Sequence, residues 1–402
     1  MAEPKPEADW AFMESLFPKG WREMASDMGL VRQLPPHIGQ KVLDIATALR
    51  LVLHYVAQRG SMRKTTASAA VAGIVSISQP ALFKWMFKIG AYLEALVAGM
   101  VEPGRFASSA WGGYVLIAAD ATSVSRPGAK GTTARLHYAM HLSDLRPRCI
   151  RITDDKVGET MRNYDVEPGE LWIVDRGYSN PPSVLDCVRK GGAILVRFNR
   201  HSLPVYDSHG ERIDVPALIT TTPRRGRVQH QRVRVIATDG AEVRAQLCWV
   251  WLPKPAADKA RAHAVRDGER DPAELDLAEY FIVLTTAPSS RLTAEQAVEL
   301  YGARWQIELD FKRDKSIGEL DQLPSELPET IRSWLCAKVL LDLIARRLAA
   351  QSVALPPSGL ADAILPAIEA PPPARRGRRA VVRDAVRLGR APARAAAHCQ
   401  VA

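Results

Sequence analysis

Through residues 40–57 (QKVLDIATALRLVLHYVA) apolar side chains recur with the period of a helix. A helix of small residues is predicted from about Thr65 to Ala72, stopped by Gly73. Ser78 fits an N-cap, with Pro80 in the first turn of the next helix. That helix is expected to turn Gln79, Lys84 and Lys88 outward and to bury Phe83, Met86 and Ile89. Helix, glycine-bearing turn, helix is the helix-turn-helix pattern of DNA-binding proteins. It is equally the pattern of a helical bundle with a solvated lysine face.

From Tyr114 the period becomes that of strands. YVLIAAD is a short apolar run ending in Asp120, and RLHYAMHL and RCIRITD read as two more strands. Residues 157–165 read as helical. LWIVDRGYS is another apolar run, ending in Asp175; a helix near Pro182 to Lys190 and the strand GAILVRFN follow. The order predicts a mixed α/β sheet with helices packed on it. Residues 200–288 read as a β insertion: VQHQRVRVIATDGAEVRAQLCWVWL alternates around a DG turn, and EYFIVLTTA is a strand. Between them, the charged stretch Lys254 to Asp276 reads as a surface loop. Arg224, Arg225, Arg227, Arg232 and Arg234 make the hairpin's start basic, which suits either phosphate contact or a solvated face.

A long helix is then expected from Thr293, with Gln296 completing a capping box. Leu300, Ala303, Ile307 and Phe311 give it one apolar stripe. A strongly apolar helix from about Pro328 to Gln351 follows, and the Pro-, Ala- and Arg-rich tail is expected to be partly disordered. The divisions are a helical region at 1–108, a first core part at 109–199, the insertion at 200–288, a second core part at 289–352 and a tail at 353–402.

Composition narrows the class. No apolar run is long enough to span a bilayer and the N-terminus lacks a signal-peptide pattern, so a soluble cytoplasmic protein with no membrane partner is expected. Five scattered cysteines without a CxxC pair disfavour a disulfide framework and a zinc site. The net charge is +10, but from Pro371 onward eight arginines face one acid, leaving only +3 for residues 1–370. Any nucleic-acid surface must therefore come from local patches.

The candidate chemistry lies in three acids, Asp120, Asp175 and Glu308. Carboxylates without nearby Cys or His favour hard cations, Mg²⁺ with Mn²⁺ as a substitute, over zinc. Two such ions can drive in-line displacement at phosphorus. In YGARWQIELDFKRDK, Tyr301, Arg304, Glu308 and Lys315 fall within roughly 60° of one another on an ideal helix. Arg304 with its fork of donors, Lys315 as a point charge and Tyr301 suit phosphate oxygens. A salt-bridged helix face fits the same spacing, since Arg304 and Glu308 are an i,i+4 pair. Arg176 and Arg197 are further candidates for DNA contact, His137 reads as a packed strand histidine, and Trp305 suits either base stacking or packing.

The pattern Y-x2-R-x3-E-x6-K, with RWQIELDFKRDKS, WIVDRGYS, RLHYA, ILVRFNRHSLPVYDSHGER and IAADATS, resembles the DDE transposases of insertion-sequence family 4. The resemblance spans about residues 35–350. It implies a ribonuclease H-like core preceded by a helical DNA-binding region and interrupted by an all-β insertion. It implies Asp120, Asp175 and Glu308 as the catalytic, metal-binding triad and Tyr301, Arg304 and Lys315 as DNA contacts. The implied activity is Mg²⁺-dependent cut-and-paste transposition, by nicking, a hairpin on the element end, reopening and strand transfer. The implied partners are the terminal inverted repeats, target DNA and a second copy in a synaptic dimer, at a bacterial nucleoid. The chain departs from the pattern in the alanine after Asp120 and in the Arg-rich tail. A catalytically inactive DNA-binding derivative or repressor is the alternative, and a junction-resolving nuclease of similar fold a third.

Overall fold

The computed structural model describes residues 6–30, 43–58, 61–101, 107–108, 111–126, 131–221, 226–316, 323–325 and 327–352. Arg224, Arg225 and the tail fall outside the described residues. Six helices come first: α1 (Pro6–Ser15), α2 (Trp21–Asp27), α3 (Ile45–Ala57), α4 (Met62–Val71), α5 (Gln79–Lys88) and α6 (Gly90–Met100). Ser78 caps α5 by accepting a hydrogen bond from the Ala81 amide. Gly73, at φ 68°, supplies the left-handed residue of the α4–α5 turn. On α5, Leu82, Met86 and Ile89 are buried and Phe83 is exposed. This corrects the expected inward face: α5 docks through Leu82, one position earlier than the sequence suggested.

Strands β1 (Ala107–Ser108), β2 (Tyr114–Val124), β3 (Ala134–His141), β4 (Pro147–Asp154) and β5 (Glu170–Val174) lead to α7 (Pro181–Arg189) and β6 (Ala193–Arg197). Next come α8 (Val215–Thr220), β7 (Gln229–Ile236), β8 (Glu242–Trp251), α9 (Lys254–Arg266), α10 (Pro272–Leu277) and β9 (Tyr280–Thr285). The stretch expected to be a surface loop, Lys254 to Asp276, is thus largely helical, and residues 200–288 are not all-β. The helical period was hidden because α9 buries only Ala257. The helical reading of 157–165 shrinks to a 3₁₀ turn at Met161–Asn163.

All nine strands form one mixed sheet, ordered β4-β3-β2-β5-β6-β9-β8-β7, with β1 beside β2. Strands β2, β5 and β6 are parallel; every other pairing is antiparallel. The hairpin and β9 therefore extend the sheet from β6 instead of forming a separate body. The chain ends its described part with α11 (Ala294–Tyr301), a 3₁₀ turn (Gly302–Arg304), α12 (Trp305–Ser316) and α13 (Pro328–Ser352). One sheet face shares a core with α3, α5, α6, α11, α12 and α13. The other packs on α7, α8 and α10. No described helix is long and apolar enough to cross a membrane.

His137 is fully buried on β3, with Nε2 2.9 Å from Thr153 Oγ1 and Nδ1 3.3 Å from Asn163 Nδ2. Burial, with Arg135 and Arg151 adding to it, pulls its pKa down from 6.5 to about 4. As pH falls below 6.5 the unfolded chain takes up a proton that the folded one refuses. Stability present above that pH is then lost towards pH 4, by on the order of 3 kcal/mol. Urea melts at about pH 7 and about pH 5 should differ in the wild type and differ less in His137→Gln.

Candidate active site

The site forms where the three parallel strands end. Ala119 pairs with Val174 and Val174 with Val196, so the next residues in line are Asp120, Asp175 and Arg197. Carboxyl ends of parallel strands are the usual place for function in such sheets. Asp175 directly follows β5 and opens a 3₁₀ turn, as a strand-end acid should. Asp120 does not end its strand, as the sequence had suggested: β2 runs on to Val124, paired there with β3 alone. Its flank towards β5 is open because β5 has already turned away at Asp175.

The partner layer comes from α11 and α12. Thr293 and Gln296 form the predicted capping box that starts α11. The single helix expected from Thr293 is instead tightened into a 3₁₀ turn at Gly302–Arg304. Glycine, the weakest helix former after proline, sits at the start of that turn. Leu300, Ile307 and Phe311 are buried along the predicted apolar stripe. Asp310 fixes the roll of α12: Tyr138 of β3 donates to it at 2.7 Å, and Arg346 of α13 pairs with it at 3.1 Å.

This packing lays three polar side chains over the two aspartates. Tyr301 donates its hydroxyl to Asp175 Oδ1 at 3.2 Å. Arg304 bridges the other two acids: Nη1 donates to Asp120 Oδ2 at 3.2 Å and Nη2 to Glu308 Oε1. The Arg304, Asp120 and Glu308 side chains are 13%, 16% and 25% exposed. Arg197 completes the rim, stacked 4.2 Å over the Phe281 ring. Lys315 lies on α12, but its side chain falls outside the described residues. Lys84 and Lys88 are exposed on α5, which packs on α3, α4, α6 and α13, apart from this cluster. Lys88 covers the Trp85 ring at 4.0 Å. Trp305 is half-buried under Lys312, 4.5 Å from its ring, and Arg176 is exposed.

Electrostatics mark the cluster as strained. Burial pushes the Asp120 carboxyl up to about 7; Arg304 and the Ala121 amide oppose this, and the charges of Asp175 and Glu159 add to it. Burial raises Tyr301 far above the ordinary phenol range, so it stays a neutral donor. Burial works against the Arg304 charge, yet Tyr301, Asp175, Asp120 and Glu308 together hold its pKa above the usual value. Its Nε–H is buried without a partner among the described residues.

Glu159 was not foreseen. It sits in the loop after β4, and burial and the Asp175 charge raise it while Arg135 lowers it. A Cβ on Gly177 would lie 1.7 Å from Glu159 Oε2, so the glycine of DRGY makes room for this carboxylate. Sequence offers one hint, a glycine two places after a strand-end acid. Gly177→Ala should displace Glu159 at a cost of about 1 kcal/mol, and that cost should vanish in a Glu159→Ala background. Denaturant melts of the two singles and the double check it.

The donor set is all oxygen, which suits a hard divalent cation. Among the described residues, no three His, Cys, Asp or Glu side chains are gathered closely enough to hold one. The carboxylates face Arg304 and Tyr301 instead of one another. Two aspartates on a sheet rim, faced by a helical layer that brings a glutamate and an arginine, define a candidate for acid-assisted phosphoryl-transfer chemistry on an α/β fold.

The sequence gives this class its family. Residues 111–341, more than half of the chain, match the transposase DDE domain, and the chain belongs to that family. It is 27% identical over 333 residues to a protein of Escherichia coli K12 named as transposase InsL for insertion sequence element IS186A. That alignment covers 79% of this chain and 88% of the relative. A transposase for insertion sequence element IS421 from Escherichia coli is likewise 27% identical over 334 residues, with the same coverage. The matched span takes in Asp120, Asp175, Tyr301, Arg304, Glu308 and Lys315.

Proposed function

We propose that the chain is the transposase of an insertion sequence, of the family-4 type, with a ribonuclease H-like core. It cuts the element's terminal inverted repeats and joins them to target DNA. One observation carries the reading: Asp120 and Asp175 close two adjacent parallel pairings, and α11–α12 sets Tyr301, Arg304 and Glu308 against them. The family is generally dependent on divalent metal ions, and Mg²⁺, with Mn²⁺ as a substitute, is our choice from the all-carboxylate donors.

In this reading Asp120, Asp175 and Glu308 hold the ions. When bound, they supply activation of a water or 3′-hydroxyl and stabilise the leaving oxygen. Arg304, Lys315 and Tyr301 grip phosphates of the cleaved strand, and Arg197 adds positive charge at the rim. Lys84 and Lys88 of the α4–α5 pair reach a DNA backbone further along the duplex. Two copies pair the two element ends in a synaptic dimer. The inactive-repressor alternative is disfavoured because all three acids are present.

Purified protein, Mg²⁺ and a duplex carrying the inverted repeat that flanks the gene test the proposal. Cleavage at the repeat end and joined products are expected, with both lost in Glu308→Ala. Cleavage retained by that variant would overturn the assignment. Affinity for the duplex should also fall steeply as salt is raised, because each phosphate contact releases counterions.

A further inference from the structure

The Arg304 guanidinium occupies the space between two of the three acids. Its two terminal nitrogens belong to one planar group, so Asp120 Oδ2 and Glu308 Oε1 flank a single guanidinium. That is the space a cation shared by those carboxylates has to fill. Two positive charges do not share it in a buried setting, where repulsion is weakly screened. Arg304 is also incompletely satisfied: its Nε–H is buried with no acceptor among the described residues. A buried donor without a partner is costly and calls for one. The residue sits in the 3₁₀ turn between α11 and α12, the irregular point of an otherwise α-helical run.

We propose that Arg304 is a displaceable gate of the cation site. It neutralises Asp120 and Glu308 until a divalent ion takes them, and it then swings to an anionic oxygen, that of a DNA phosphodiester. This rests on the triad reading above and adds an order to it. Cation entry and release of Arg304 are one event, so cation and DNA phosphate strengthen each other's binding. The gate guards against a loaded site in the absence of DNA.

The test is Mn²⁺ affinity of the full chain without DNA, followed by the electron-spin signal of free Mn²⁺. Arg304→Ala should bind Mn²⁺ about ten- to a hundredfold more tightly than the wild type, the worth of one or two charge-assisted hydrogen bonds. Arg176→Ala removes the same charge from an exposed neighbour of Asp175 and should change affinity by less than about threefold. Equal effects of the two variants, or no gain in Arg304→Ala, would overturn the gate. If Arg304→Ala does not fold, the wild type answers instead. The Arg304 Nε–H resonance, identified by its loss in Arg304→Lys, should shift on adding Mg²⁺; an unmoved resonance at saturation would overturn the gate. Asp120→Asn and Glu308→Gln separate the two levels. If both leave Mn²⁺ binding intact, the triad reading fails. If both abolish it while Arg304→Ala has no effect, only the gate fails.

Discussion

Asp120→Asn is expected to lower strand cleavage by roughly a thousandfold or more and, at about pH 8, to make the protein more stable than the wild type. The two effects have one origin. Burial, helped by Asp175 and Glu159, raises Asp120 to about 7 against Arg304's pull, from an ordinary 3.8. Between those values the folded protein holds a proton that the unfolded chain has released. The stabilising contribution is therefore complete below pH 3.8 and is lost as pH rises through 7. Above that the charged carboxylate burdens the fold by on the order of 4 kcal/mol. Asparagine, close in shape and permanently neutral, lifts that burden. Thermal melts of both proteins at about pH 8 and about pH 5 should show the variant's advantage at the higher pH and its fall to less than half at the lower. A variant less stable than the wild type at pH 8 would show that Asp120 is not electrostatically strained.

Asp310→Ala should destabilise the fold by about 1–3 kcal/mol, because the buried Tyr138 hydroxyl loses its acceptor while Arg346 keeps its pairing with Asp342. Asp310 is 3% exposed and takes both the Tyr138 hydroxyl and the Arg346 guanidinium. Removing it unpins α12 from β3 and α13 together. Tyr138 lies directly opposite Asp120 in the β2–β3 register, so the same bond places Glu308 over the aspartates. Cleavage should therefore fall even under conditions where the variant remains folded. Denaturant melts give the energy, and a loss below about 1 kcal/mol would mean that α12 is held by apolar packing alone.

The sequence is legible where one element carries the whole signal. Apolar runs located β2, β5, β6 and β9, the DG turn located the β7–β8 hairpin, and the Thr293–Gln296 box located the start of α11. Asp175 was legible because its strand stops beside it. Asp120 was misplaced as a strand end because strand length depends on pairing, and β3 continues alongside after β5 has gone. On α5 the inward face was misjudged because Phe83 looks more apolar than its surroundings make it. Helix α9 was missed because a helix that buries one alanine has almost no apolar period. The 3₁₀ turn at Gly302 and the place of the Glu159 carboxylate depend on tertiary packing, of which Gly302 and Gly177 are the local traces. The stripe on α11–α12 had two readings, a metal ligand among phosphate contacts or a salt-bridged face. The structure shows the salt bridge between Arg304 and Glu308 and ties Arg304 to Asp120 as well.

The central claim is that Asp120, Asp175 and Glu308 share a divalent cation. Anomalous diffraction at the manganese edge, from crystals of the protein bound to its terminal-repeat duplex with Mn²⁺, tests it most directly. The account expects a peak about 2 to 2.3 Å from carboxylate oxygens of all three residues, with Arg304 withdrawn from Asp120 and Glu308. A manganese peak held elsewhere, with Arg304 still bridging the two acids, would contradict it.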